Sequence, residues 1–151
     1  MEIDLVAAAR EILAATAYMT LGTADSSGAP WVSPVWFASP DAREFFWVSD
    51  PEARHSRNIA ARAQISIAIF DSQVPIGTGR ALFMSATASQ VDDDQVDRGM
   101  EIFSQVSLEQ GGREWTRADV EPPARLRLYR AIASEHWVGI NDRRSLVSLA
   151  G

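Results

Sequence analysis

The segment SDPEARHSRN gathers side chains of four chemistries: a hydroxyl at Ser49, a guanidinium at Arg54, an imidazole at His55 and an amide at Asn58. On a helix, Arg54 and Asn58 share one face. With backbone N–H groups at a helix start, this set suits a phosphate, because arginine offers a planar fork while hydroxyl and amide offer directional bonds. Asp50 and Glu52 at the same terminus would repel an anion, so binding has to rest on Arg54 rather than on the helix dipole. Taken alone, the segment reads more simply as a solvated helix face in which Arg54, Arg57 and Arg62 pair with those two acids.

Two further stretches carry a similar choice. In EHWVGINDRR, Trp137 offers a plane for a ring system and Arg143 a planar cation for an anion; in isolation they read as a buried tryptophan and an exposed basic tail. PWVSPVWF reads as a strand, yet holds Pro34, which has no N–H for a ladder and belongs on an edge, at a bulge, or beside something other than a strand. Alternation puts Trp31, Val35 and Phe37 on one face and Val32 and Trp36 on the other, so burial on both sides is expected. Arg125 and Arg127 share a strand face, followed by Tyr129, and are expected to pair with surface acids.

Composition narrows the chemistry. With 151 residues, 46% of them hydrophobic and 23% charged, the chain suits a single domain spanning residues 1–151. A net charge of -6 argues against a nucleic-acid grip that depends on neutralising phosphates. No cysteine means no disulfide, thiolate metal site or thiol nucleophile, and His55 and His136 alone cannot build a three-histidine zinc centre. All 14 basic residues are arginines, which excludes a Schiff-base lysine and leaves anions to guanidinium groups. No signal peptide and no long apolar run is evident, so a cytoplasmic protein that does not engage membranes is expected.

These residues must be positioned by six strands and three helices. Ile3, Val6, Ala9, Ile12 and Leu13 predict a helix over about 3–15, with Glu2 and Asp4 in its first turn. AYMTLGTAD and the Pro34 strand form a hairpin around Gly28, and EFFWVS is a third strand. A helix capped by Asp50, with Pro51 at its first position, follows. QISIAIFD and TGRALFMSATASQ are further strands, Val96, Met100 and Phe103 mark a third helix, and EPPARLRLYRAIASEHWVG is a long closing strand before a short basic tail. Mainly antiparallel β with peripheral helices, closing into a small barrel, is the expected fold class.

Together, MTLGTADSSGAPWVSPVWF, FFWVSDPEARHSRNI, QISIAIFD and EHWVG resemble the pyridoxamine 5′-phosphate oxidase-like family of FMN-binding split barrels, over about residues 15–144. The resemblance implies a homodimeric six-stranded antiparallel split β-barrel that uses FMN as an oxidoreductase on a small organic substrate by hydride transfer. It implies that the strand Val32, Ser33, Pro34, Val35 runs beside the isoalloxazine, so that a flavin, rather than a strand, borders Pro34. It implies that Val48, Ser49, Arg54 and His55 surround the ribityl phosphate, beside the Asn58 amide that the local pattern adds, and that Trp137 and Arg143 reach the flavin of the other subunit. The oxidase proper has lysine where this chain has His55, and an arginine-x-histidine element where Arg143 is followed by RSLVS, so true pyridoxamine phosphate oxidase activity is not expected. Two alternatives remain. One is a deazaflavin-dependent reductase using arginines 54, 57, 125, 127, 143 and 144 for an acidic cofactor tail; the other is a non-catalytic flavin- or haem-binding protein, with His55 or His136 as candidate haem ligands, although packing is the simpler role for His136.

Overall fold

The structure, a computed structural model, describes residues 3–149. Helix α1 (Leu5–Ala15) starts two residues later than its periodicity suggests, because Asp4 caps it: the Asp4 carboxylate accepts from the Ala7 N–H at 3.1 Å. Glu2 lies outside the described residues. The buried face of α1 is Ala8, Ala9 and Ile12, while Ile3 and Val6 stay exposed.

The strands are β1 (Tyr18–Ala24), β2 (Pro30–Trp36), β3 (Glu44–Ser49), β4 (Gln64–Phe70), β5 (Arg80–Gln90), β6 (Arg127–Ile140) and β7 (Arg143–Val147), with helix α2 (Arg54–Ala61) after β3 and helix α3 (Val96–Glu109) after β5. They form one antiparallel sheet in the order β2-β1-β4-β5-β6-β3, and β7 pairs with the second half of β6. The outermost strands β2 and β3 approach one another, but the chain beyond β2 joins β3 only through the bridge of Ala38 to Phe46, with N–O distances of 2.9 and 2.8 Å. The sheet is therefore a barrel that stays open along one seam.

The seventh strand replaces the expected basic tail. Asn141 and Asp142 both adopt positive φ, 52° and 64°, which turns the chain tightly enough for residues 143–147 to pair back on β6. The second helix also differs from expectation. Asp50 does not cap it: its carboxylate accepts from the Glu52 N–H at 2.9 Å and pairs with Arg125 at 3.3 Å, so Pro51 falls in a turn and the helix begins only after Ala53.

Met19, Leu21, Ile65, Ile67, Leu82, Met84, Ala131 and Val138 fill the barrel interior, with Phe45 and Trp47 from β3 and the α1 face beside them. A second apolar cluster lies under α3, where Met100 and Phe103 meet Phe46 and Leu128. Phe103 stands edge-on to Trp36, centroids 4.4 Å apart, and to Trp115 at 5.3 Å. Trp36 also donates its indole N–H to Gln110 at 2.8 Å. Edge strand β2 is thereby fastened to α3 at its C-terminal end.

Burial of β2 on both sides is not what the fold provides. Val35 is buried, but Val32 and Pro34 are exposed, because β2 pairs with β1 alone and its outer face has no covering layer; Trp31, on the Val35 side at the start of the strand, is exposed under Arg54. Of the two arginines expected to meet acids, Arg125 precedes β6 and does so, whereas Arg127 donates to the carbonyls of Ala124 and Leu126, both at 2.6 Å. No helix among the described residues is long and apolar enough to cross a membrane. Phe103→Ala should lower stability by about 3–5 kcal/mol, read from urea denaturation, since it removes a fully buried ring from between two indoles.

Candidate functional site

Antiparallel register decides which side chains meet on the outer face of the sheet. Val32 lies opposite Gly22, Gly22 opposite Ser66, Ser66 opposite Ser85, and Ser85 opposite Glu135. The next row runs Pro34, Thr20, Ala68, Phe83, Trp137, Leu146. Residues between these positions along the strands, such as Leu21, Ile67 and Met84, point into the core. The middle of the outer face is thus made of Gly, Ser, Thr and Ala, with larger apolar groups at its margins. A Cβ on Gly22 would stand 2.5 Å from the Ser66 hydroxyl, so no larger residue fits that part of the floor without movement.

The result is a trough. One part, about 510 Å³, is lined by Gly22, Val32, Ser66, Phe83, Trp137 and Arg144, among others. A second part, about 620 Å³, shares Gly22, Val32, Ser66 and Ser85 with it and extends to Trp31 and Thr23. Trp31 leads on to the start of α2, where the Arg54 guanidinium carbon lies 4.1 Å from the indole centroid. Beyond Arg54, the Ser49 hydroxyl and His55 Nε2 are 2.9 Å apart. Near the other end of the trough a smaller hollow of about 240 Å³ holds Arg80, Arg143 and Arg144 with Phe70 and Phe83. The Arg144 guanidinium sits 3.8 Å from the Phe83 centroid.

The expected site residues divide accordingly. Val32 and Trp137 share the trough, and Ser49 and His55 share a hydrogen bond. Ser33 is half-buried on β2, and Pro34 is exposed beside it. The Val35 side chain lies in the core, and Val48 packs towards the α3 cluster, so each can offer only backbone to the outer face. Asn58 is buried and donates to the Thr23 hydroxyl at 3.0 Å, tying α2 to β1. Arg143 and Arg144 are adjacent on β7, and only Arg144 reaches the main part of the trough.

Sequence reasoning missed Trp31, Phe83 and the small-residue floor, and counted Arg144 only towards an acidic deazaflavin tail. Gly22 inside an otherwise regular strand was the one readable signal, since such a glycine marks a close approach. The others depend on pairings between strands distant in sequence. Arg54, Arg57 and Arg62 are exposed, as expected of a solvated face, but Arg54 lies on Trp31, Arg62 donates to the carbonyls of Asp25 and Ser26 at 2.7 and 3.2 Å, and Asp50 pairs with Arg125 rather than with them.

The family model of pyridoxamine 5′-phosphate oxidase matches residues 5–129. The chain belongs to this family. Solved structures agree on the fold of this pyridoxamine 5′-phosphate oxidase-like protein. A haem-binding protein from Mycobacterium smegmatis superimposes with a TM-score of 0.74 at 18% identity, over 99% of this chain and 60% of that one. This chain thus spans less than two thirds of that relative's length. HutZ, the haem storage protein of Vibrio cholerae, gives 0.68 at 19% identity over 97% of both chains. A Clostridium acetobutylicum protein of the pyridoxinephosphate oxidase family gives 0.67 at 11% identity, over 98% of this chain and 96% of that one. No curated protein matches the chain.

Burial pushes the His55 imidazole below its ordinary pKa of 6.5. The folded state therefore binds fewer protons here than the unfolded chain, and this group's contribution to stability rises with pH and is lost as pH falls below about 6.5. A His55→Gln variant should show a smaller loss of denaturation midpoint than the parent protein between pH 7.5 and pH 5.5, on the order of that window. Equal losses in the two proteins would mean that His55 titrates normally.

Proposed function

We propose that the protein is an FMN-dependent oxidoreductase acting on a small organic substrate, that it works in the cytoplasm, and that two copies assemble through the outer sheet face. The observation that carries this reading is the trough itself, a low floor of small residues bordered by Val32 and Trp137 and leading past Trp31 to Arg54. Such a surface suits a flat tricyclic ring, and the guanidinium suits a phosphate tail.

In this reading Arg54, Ser49 and His55 hold the phosphate, and the backbone of Val32–Val35 borders the ring. Pro34, on an edge strand, gives up no ladder bond by lacking an N–H. Asn58 positions rather than binds, since its amide is engaged with Thr23. Bound FMN would supply hydride transfer, a chemistry no side chain in this chain offers. The protein's part is to orient the ring, exclude water and stabilise negative charge, with Arg144 beside Phe83 as the nearest cation. The hollow of Arg80, Arg143 and Arg144 suits an anionic group on the substrate.

A second copy completes the site. Val32, Phe70 and Leu146 are 68%, 55% and 58% exposed on this face, an apolar area that calls for a partner. Charged residues are absent from the middle of its two central rows, which suits a self-complementary contact.

The arginine hollow is also the one feature that favours a deazaflavin cofactor with an acidic tail. Against it, Arg125 is paired with Asp50 and Arg127 is spent on backbone carbonyls, so two of the six arginines counted for a basic groove are engaged elsewhere. Haem finds less support here. His136 Nε2 lies 2.6 Å from the Ala42 carbonyl oxygen and His55 Nε2 is engaged with Ser49, so either ring would have to break that contact to ligate through Nε2.

The absorbance spectrum of the purified protein, with mass analysis of any released ligand, separates these readings. Flavin bands bleached by a reductant and restored by air are expected; a Soret band would overturn the flavin reading. Arg54→Ala should weaken FMN binding roughly tenfold to a hundredfold by calorimetry, the loss of one charge-assisted contact. Ala68→Arg, which sets a charge in the middle of the outer face, should convert a dimer of twice the 16.6 kDa chain mass into a monomer by light scattering and abolish FMN binding.

A further inference from the structure

We propose that His55 is a proton-coupled phosphate clasp: it stands neutral while the clasp is empty and takes up one proton from solvent when a phosphate monoester dianion is held beside Arg54. This rests on reading the trough as an FMN site. The argument begins with the 2.9 Å contact between Ser49 Oγ and His55 Nε2. A hydroxyl both donates and accepts, so the contact survives a change of protonation. In the neutral tautomer that carries its proton on Nδ1, the serine donates to Nε2. Once Nε2 carries a proton it donates to Ser49 Oγ, and the serine O–H is released to donate to a phosphate oxygen. Proton uptake thus adds one positive charge and frees one hydrogen-bond donor at the same place.

Little in the surroundings keeps the empty ring charged. Helix α2 packs against β1, β2 and β5, whose ionisable residues are Tyr18 and Arg80 alone. On the segment that carries His55, Asp50 is paired with Arg125, and Arg54, Arg57 and Arg62 add positive charge, which leaves Glu52 as the remaining acid. From β6, Arg127 lies opposite Ser49, and Tyr129 follows two residues on. No carboxylate is hydrogen-bonded to His55 among the described residues, and burial opposes its charge. A dianion brings the missing counter-charge into a partly desolvated place, where it acts at close range. Arg54 differs in kind, because a guanidinium stays charged at every accessible pH.

The test compares FMN and riboflavin, which lacks the phosphate, in the parent protein, His55→Lys and His55→Gln. Fluorescence titrations from about pH 5.5 to 8.5 give affinities, and calorimetry in two buffers of different ionisation enthalpy counts protons. In the parent protein, FMN affinity should fall towards tenfold per pH unit between the pKa of the empty imidazole and the higher pKa of the loaded one, and binding in that window should take up a proton. His55→Lys should bind FMN with no such fall, and His55→Gln should bind it more weakly at low pH, also without one. The second ionisation of the phosphate itself, near pH 6, is common to all three proteins and cancels in the comparison. Riboflavin should bind without proton uptake. If FMN binds the parent protein with the same pH profile as His55→Gln, the clasp is refuted while the trough remains an FMN site. If neither FMN nor riboflavin binds at any pH, the reading of the trough fails, and the clasp with it.

Discussion

The antiparallel register across β2, β1, β4, β5 and β6 is the constraint on which the rest of the molecule depends. Leu21, Ile67, Met84 and Val138 leave water together on the inner face, and a shift of one residue in any strand would turn its apolar set outward. The same burial that stabilises the barrel therefore brings Gly22, Ser66 and Ser85 side by side on the other face. A concave outer surface follows from the alternation, given small residues at those positions. The core sets the site.

Edge strand β2 turns this surface into something a ligand can use. It is paired on one side only, which accommodates Pro34, and it carries Trp31 and Val32 into the open. An edge so exposed invites unwanted pairing, and the chain restrains it at several points. Trp36 is gripped by Phe103 and Gln110, Thr23 on the neighbouring strand is tied to Asn58, and Arg62 holds the carbonyls at the hairpin turn. The open edge is thus held in place without being covered.

Electrostatics separate the two ends of the trough from the rest of an acidic surface. The net charge of -6 is not spread evenly. The buried Glu44 carboxylate is neutralised by Arg98 at 2.8 Å and by Arg130 at 3.2 Å, and Asp50 by Arg125. Arg54 instead lies on an indole, and Arg144 on a phenyl ring, both beside the trough. Stacking on an aromatic face orients a guanidinium while leaving its N–H donors free for an anion. A protein without lysine can in this way offer directed positive charge at a place where its overall charge would discourage an anion.

Alternation in QISIAIFD and the strong apolar periodicity of the strands made the antiparallel β class readable, and Gly28 marked its hairpin. The polar group at Ser49, Arg54, His55 and Asn58 was equally visible as a cluster, since its members lie within one strand end and one helix. Their separate duties were not. Asn58 turned to Thr23, Asp50 to Arg125 rather than to the helix, and Val35 to the core, because each choice depends on a partner far along the chain. β7 was passed over because a short basic tail gains its pairing energy only when β6 is already in place beside it. Local pattern, fixed by steric and hydrophobic preferences within a few residues, determined the elements and the face each would bury. The meeting of Val32, Phe83, Trp137 and Arg144 was decided by tertiary structure alone, since strand pairing is a non-local contact whose register emerges from the packing of the whole barrel.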